Sequence, residues 1–187
     1  MYKIITSNEK QFWQNTIENF KKVEHNVSQE DTELYKHALI DTYNKNYKKA
    51  LKKLKKLYKK YKKNIELSGW IGYNYFYNED YMAALIRLKL TISLIKTYDT
   101  FTPEDHFAYQ FIGLCYFHRK KYKKAINAFV KANELQETAD SFYHIGLSYY
   151  YLKDNDNAYK NLWKSLNLDP NLEYATQTLN LINNKTN

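Results

Sequence analysis

Three Ile-Gly pairs constrain this chain more than any other feature. Ile71-Gly72, Ile112-Gly113 and Ile145-Gly146 are each followed, three residues after the Gly, by a Tyr: Tyr75, Tyr116 and Tyr149. Twelve residues after each Gly stands a small residue, Ala84, Ala125 or Ala158, and four residues beyond it a bulky apolar one, Leu88, Phe129 or Leu162. A small residue midway along one helix and another early in the next let two backbones approach closely, while the Tyr fills the groove between them. Larger side chains there would force the helices apart, at roughly 1–3 kcal/mol for each overpacked site. The recurrence predicts stacked antiparallel helix pairs, each contacting its neighbours.

Spacing sharpens the expectation. Gly113 and Gly146 are 33 residues apart, and Ala50 and Ala84 are 34 apart, which extends the array backward to a unit holding Tyr47, Ala50 and Leu54. The leading helix of that first unit is degenerate, with His37-Ala38 at the Leu-Gly position and Asp41 in place of the Tyr. Gly72 and Gly113 are 41 residues apart, so the second helix of that unit is extended or a loop intervenes around residues 96–105. Thr102-Pro103-Glu104-Asp105 offers a cap, a Pro at the first helical position and an acid three residues after the cap.

The map is therefore a lone helix over about residues 8–23, four helix pairs over about 30–168, and a last helix over about 171–183. In domain terms these are residues 1–30 packed on the array, the array at 31–170, and a capping helix and tail at 171–187. Thr6 with Glu9 forms a capping box for the lone helix, whose apolar stripe is Phe12, Trp13, Ile17 and Phe20. Leu172, Ala175, Leu179 and Leu181 suit the last helix to cover an apolar end of the array.

The pattern resembles the tetratricopeptide repeat: an aromatic, two residues, Leu-Gly, two residues, Tyr, then Ala, three residues, Phe, and finally Pro. Tyr109 and Phe142 stand at the leading aromatic position, Ser68 replaces it in another unit, and Asp169-Pro170 closes the last one. The resemblance implies an all-α, right-handed superhelical array of antiparallel helix pairs, a TPR-like α-solenoid with an extra N-terminal helix and a C-terminal capping helix. It also implies that the first helix of each pair lines a concave groove. On that basis the candidate partner-binding residues are Trp70, Tyr73, Phe76 and Tyr77 from one unit and Gln110, Phe111, Phe117 and His118 from the next. Tyr143, His144, Tyr150 and Tyr151 complete the set. Large rings of this kind dominate binding hot spots and suit a partner helix or extended peptide. Family members that clamp chaperone C-termini use paired cations and Asn on their leading helices. Here Tyr35, Leu39, Trp70, Phe107 and Phe111 occupy those places, and a one-unit shift gives Gly69, Tyr73, Phe111, Asp140 and His144. A clamp for a terminal carboxylate is absent in either frame.

The net charge of +9 belongs to one element. Residues 45–63 hold 11 lysines and no acid, which leaves 18 basic against 20 acidic residues elsewhere. Within that stretch Tyr47, Ala50, Leu51, Leu54, Leu57, Tyr58 and Tyr61 recur at helical spacing, so the lysines coat the outer face of an amphipathic helix. Lys48, Lys49, Lys52, Lys53, Lys55, Lys56, Lys59 and Lys60 form an electrostatic patch. It reads either as a solvated face or as a site for phosphates, an anionic membrane or an acidic protein.

Composition excludes several classes. With 4 Gly, 2 Pro and 1 Cys in 187 residues, the chain has no Gly-rich phosphate loop, no disulfide framework and no multi-Cys zinc site. Cys115 reads as an inert core thiol. His118 with His144 lacks a carboxylate at ligand spacing, and the acid pairs Glu79-Asp80, Glu104-Asp105 and Asp154 with Asp156 sit where helix caps are needed. The expectation is a protein with no enzymatic activity, metal or cofactor. The first ten residues lack an apolar signal segment and no apolar run is long enough to span a bilayer, so a cytoplasmic location is expected. The leading functional expectation is a module that binds a partner polypeptide in the aromatic groove, in its specific form a dedicated chaperone or immunity protein for one cognate protein. The alternatives are a tether to nucleic acid or anionic membrane through residues 45–63, and self-association.

Overall fold

The computed structural model describes residues 14–18, 20, 27–100 and 102–186, and among these every regular element is helical. Residues 14–18 form α1. The pairs follow: α2 (Gln29–Tyr43) with α3 (Tyr47–Lys60), α4 (Ile65–Tyr77) with α5 (Tyr81–Tyr98), α6 (His106–His118) with α7 (Tyr122–Leu135), and α8 (Ala139–Tyr151) with α9 (Asn155–Leu168). Helix α10 (Glu173–Thr186) closes the chain. The cap expected at Thr6 and Glu9, with Phe12 and Trp13 of the apolar stripe, lies outside the described residues. The chain divides into two compact units, Met1–Leu94 and Ile95–Asn187.

Each turn inside a pair places one non-glycine residue in the left-handed region: Lys45 (φ 60°), Glu79 (φ 62°), Lys120 (φ 56°) and Lys153 (φ 62°). This is the backbone conformation that ends helices through a left-handed residue, and a side chain there costs roughly 1–2 kcal/mol. Short acids start the next helix: Asp80 Oδ1 accepts the Ala83 amide at 3.0 Å and Asp154 Oδ1 that of Asn157 at 3.2 Å. Capping is the job those acid pairs do. The seven extra residues after Gly72 divide between two devices. Helix α5 runs 18 residues where α3, α7 and α9 run 14 each, and a 3₁₀ turn, Pro103–Asp105, precedes α6. The Thr102 amide donates to Asp105 Oδ2 at 2.7 Å, which is the reciprocal half of the expected cap.

In the first unit the core gathers Phe20, Tyr35, Ala38, Leu39, Leu54, Leu57, Leu67 and Ile71. Phe20 meets Tyr35 at 4.6 Å and Tyr61 edge-on at 5.5 Å, so residues near α1 are packed into this core. The degenerate leading helix keeps the small-residue rule, since Ala38 is fully buried in one cluster with Leu54. At the Tyr position Asp41 instead pairs with Lys53 of α3. In the second unit Ala125, Phe129 and Ile145 form one cluster, and Ala158, Leu162, Ala175, Leu179 and Ile182 another, so α10 covers the apolar flank of α9. The glycines mark where backbones meet. A Cβ on Gly113 would lie 2.7 Å from the Phe129 ring, and one on Gly146 would lie 3.0 Å from the Ala158 carbonyl oxygen.

Candidate functional site

Each unit carries its own aromatic surface. In the first, Trp70, Tyr73 and Tyr77 fall on successive turns of α4, and their rings touch in series: Trp70 to Tyr73 at 5.5 Å, Tyr73 to Tyr77 at 4.6 Å. Tyr47, the first residue of α3, stacks on Tyr77 at 5.5 Å and 23°. Tyr77 stays 43% exposed at the end of this row. Burial together with its tyrosine neighbours raises the Tyr73 hydroxyl pKa well above the ordinary value, so this phenol stays neutral. Beneath it the Tyr35 hydroxyl donates to Glu66 Oε1 at 2.9 Å, and the Trp70 side chain hydrogen-bonds the same carboxylate. Burial pushes Glu66 up to about 7 in spite of both bonds.

In the second unit Phe117 is the hub. Its ring meets Tyr122 at 5.6 Å, Tyr151 at 5.7 Å and His144 at 5.9 Å. Tyr122 and Tyr151 stack at 5.0 Å and 8°, and Tyr151 is 51% exposed. Tyr150 flanks Tyr151 edge-on at 5.8 Å. Tyr143 packs on Tyr174 of α10 at 4.4 Å, and the Tyr174 hydroxyl hydrogen-bonds Asp140.

Three expected partner-binding residues are used by the fold instead. Phe76 is 9% exposed and packs on Tyr81 and Tyr77, because its position on α4 faces the start of α5. Gln110 Nε2 spends both its protons on Thr138 Oγ1 and Ser141 Oγ, each at 2.8 Å, which ties α6 to the start of α8. His144 stacks on Phe129 at 5.2 Å and bonds the Asp140 carbonyl oxygen through Nδ1 at 2.8 Å. Burial holds its pKa below the ordinary value. Phe111 is half-buried, and His118 is exposed beside Phe117 at 6.2 Å. Tyr47, Tyr122 and Tyr174 join the rings although the first-helix rule omits them. The signal for two was present: Tyr47 and Tyr122 each stand three residues before the repeat Ala.

The lysine helix is sorted into two flanks. Lys53 pairs with Asp41, Lys60 with Asp31, and exposed Lys56 lies 3.7 Å from exposed Glu30. Burial alone would raise Asp31, but Lys60 and the Tyr61 hydroxyl at 2.8 Å outweigh it and hold its carboxyl below the ordinary range. A cleft of about 570 Å³ is lined by Lys48, Lys52, Lys55, Lys56 and Lys59 with Leu51, Tyr75 and Asn78, so Lys56 is shared between the cleft and the acids of α2. Lys55 Nζ sits 4.6 Å over the Tyr75 ring. The expected patch is thus not uniform, since Lys53 and Lys60 are neutralised by acids of α2.

Cys115 is fully buried, and burial pushes its thiol up to about 12, which keeps it protonated and non-nucleophilic. Among the described residues no group of three or more His, Cys, Asp or Glu could hold a metal ion, and no helix is long and apolar enough to cross a membrane.

Comparison with known proteins places these surfaces in context. The family described as anaphase-promoting complex, cyclosome, subunit 3 matches residues 78–165. No curated protein matches in sequence. Among solved structures, MamA superposes with a TM-score of 0.70 at 25% identity, covering 80% of this chain and 84% of that one. YrrB, titled a TPR protein with an unusual peptide-binding site, gives 0.69 at 20% identity, covering 91% and 85%. The APC/C hetero-tetramer Cut9-Hcn1 gives 0.74 at 21% identity, covering 80% of this chain and 29% of that one.

Proposed function

We propose that the chain, similar in repeat pattern and in solved neighbours to tetratricopeptide-repeat proteins, is a non-enzymatic interaction module whose aromatic surfaces hold a partner polypeptide. The observation that carries this reading is the recurrence of one ring arrangement. In each unit the first Tyr of a second helix stacks on the last Tyr of the following first helix, Tyr47 on Tyr77 and Tyr122 on Tyr151, and leaves the latter's outer face exposed. Rings that already rest on one another lose little freedom when a partner covers them, so the binding energy of their area is not spent on ordering. The YrrB title, naming a peptide-binding site, supports the same class of ligand. The finer form of the reading is a dedicated chaperone or immunity protein for one cognate protein, which surfaces with fixed ring positions suit better than a promiscuous role does.

Trp70 supplies the test. In a chain with Trp13→Phe and Trp163→Phe, its emission reports the first aromatic surface alone. Addition of the polypeptide that co-purifies stoichiometrically with the tagged protein is expected to shift that emission, and Tyr77→Ala with Tyr151→Ala to weaken capture at least about tenfold. Undiminished capture by the double variant, with no change in Trp70 emission, would remove both surfaces from the function.

A further inference from the structure

The lysine-lined cleft shares no lining residue with the aromatic rows. The acids of α2 meet α3 through Asp41 with Lys53, Asp31 with Lys60 and, more loosely and in solvent, Glu30 with Lys56. Lys48, Lys52, Lys55, Lys56 and Lys59 line an open cleft that has no carboxylate in its lining, and of these Lys56 also reaches exposed Glu30 of α2 at 3.7 Å. Like charges held this close repel one another, and an anion between them relieves the repulsion. From Lys48 to Lys59 the row runs eleven residues along one helix, roughly 16 Å at the helical rise. That length exceeds a single phosphate and fits a linear series of negative charges.

The lining also separates carboxylates from nucleic acid. Tyr75 is the one aromatic residue of the cleft, and Lys55 Nζ sits over its ring, so no open platform remains for stacking bases. No arginine fork lines the cleft to grip phosphates in bidentate fashion. Leu51, Tyr75 and the lysine stems give it an apolar floor that suits the methylenes and apolar neighbours of glutamates. A concave site of this kind also fits a projecting segment better than a flat bilayer surface. We propose that the cleft between α3 and the end of α4 docks an acidic polypeptide segment, through carboxylates spaced along its length and independently of the aromatic rows.

Fluorescence anisotropy of the full chain with a labelled Glu-rich peptide of about twelve residues, a length chosen to exceed the row when extended, tests this. Saturable binding is expected, weakening at least about tenfold between roughly 50 and 200 mM salt. Lys48→Gln, Lys52→Gln and Lys59→Gln together are expected to cost about tenfold or more in affinity. These side chains are exposed, and an unchanged helical circular dichroism spectrum confirms that the variant folds. Lys53→Gln with Lys60→Gln, on the acid-paired flank, should bind as the wild type does. The proposal is overturned by an equal loss in the paired-flank variant, by equal affinity for the Gln-for-Glu peptide, or by no saturable binding. Tighter binding of an oligothymidylate of equal charge, or of phosphatidylserine vesicles, would overturn it in favour of a phosphate ligand.

Discussion

The Tyr35 hydroxyl of α2 donates a 2.9 Å hydrogen bond to Glu66 Oε1 of α4, beneath the ring of Trp70 that begins the first aromatic row. A carboxyl in this place joins the folding of the first unit to the geometry of its binding surface. Burial raises Glu66 from 4.5 to about 7, so the folded chain holds this proton more tightly than the unfolded chain does. The sign follows: Glu66 lets stability fall as pH rises from about 4.5 to about 7, and the loss persists above that. Glu66→Gln keeps an acceptor for Tyr35 and removes the charge. It is expected to flatten that part of the profile and to stabilise the chain at pH 8 by on the order of 1–3 kcal/mol. His144, whose depressed pKa makes stability rise with pH up to its ordinary value near 6.5, opposes Glu66 in the same window. The wild-type minus variant difference in urea titrations isolates Glu66, and a difference that does not change with pH would refute its role.

Two helical glycines, one outside the repeat pattern and one at its centre, should respond to alanine with opposite signs. A Cβ on Gly69 has its nearest neighbour, Thr91 Cγ2, at 4.0 Å, an ordinary contact. Gly69→Ala should therefore stabilise by about 0.5–1 kcal/mol, through helix propensity. At Gly113 the added Cβ would lie 2.7 Å from Phe129 Cε1, and that ring is 1% exposed with no space to retreat. Gly113→Ala should destabilise by roughly 1–3 kcal/mol. Thermal melts of the pair read the signs directly, and two changes of the same sign would contradict the packing described for α6 and α7.

The left-handed turns permit a gain. Lys120, at φ 56°, bridges α6 and α7 with its amide on the Phe117 carbonyl at 2.8 Å and its side chain in solvent. Lys120→Gly should keep that bond and relieve the strain of a side chain in this region, raising stability by up to about 1 kcal/mol. The same substitution one residue later, Lys121→Gly, has no such strain to relieve and should not stabilise. Equal melting shifts for the two would show that the turn carries no strain.

What the sequence discloses and what it withholds divide along a physical line. The Gly, Tyr and Ala intervals report close backbone approach, which depends on side-chain size alone, and the helix pairs appear where those intervals put them. Degeneracy in the first unit was legible as well, but its remedy was not, because the pairing of Asp41 with Lys53 joins two helices and has no sequence spacing of its own. The candidate surfaces were less transparent. Tyr73 and Phe76 stand three residues apart on the same helix, yet one lies in the half-buried aromatic row and the other is buried against Tyr81. Gln110 reads as a polar groove residue until Thr138 and Ser141 arrive from the next pair to take its protons. Likewise, the 11 lysines of residues 45–63 look equivalent until α2 supplies acids to some of them.

The stacked pair Tyr122–Tyr151 gives the most direct measure of whether the binding surface is set before a partner arrives. The rings lie 5.0 Å apart and within 8° of parallel, one at the start of α7 and the other at the end of α8. If that contact is maintained in the free protein, a double-mutant cycle of Tyr122→Leu and Tyr151→Leu should return a coupling of about 0.5–1.5 kcal/mol in urea unfolding. Tyr47 and Tyr77, at 5.5 Å and 23°, should couple within the same range. Coupling at both positions would mean that the ordering cost of these rings is met during folding, so that a partner gains nearly the full value of covering them. A coupling near zero at both would show rings that move independently in the free chain. The partner would then have to order them itself, and the argument from fixed ring positions to a single cognate polypeptide would fail.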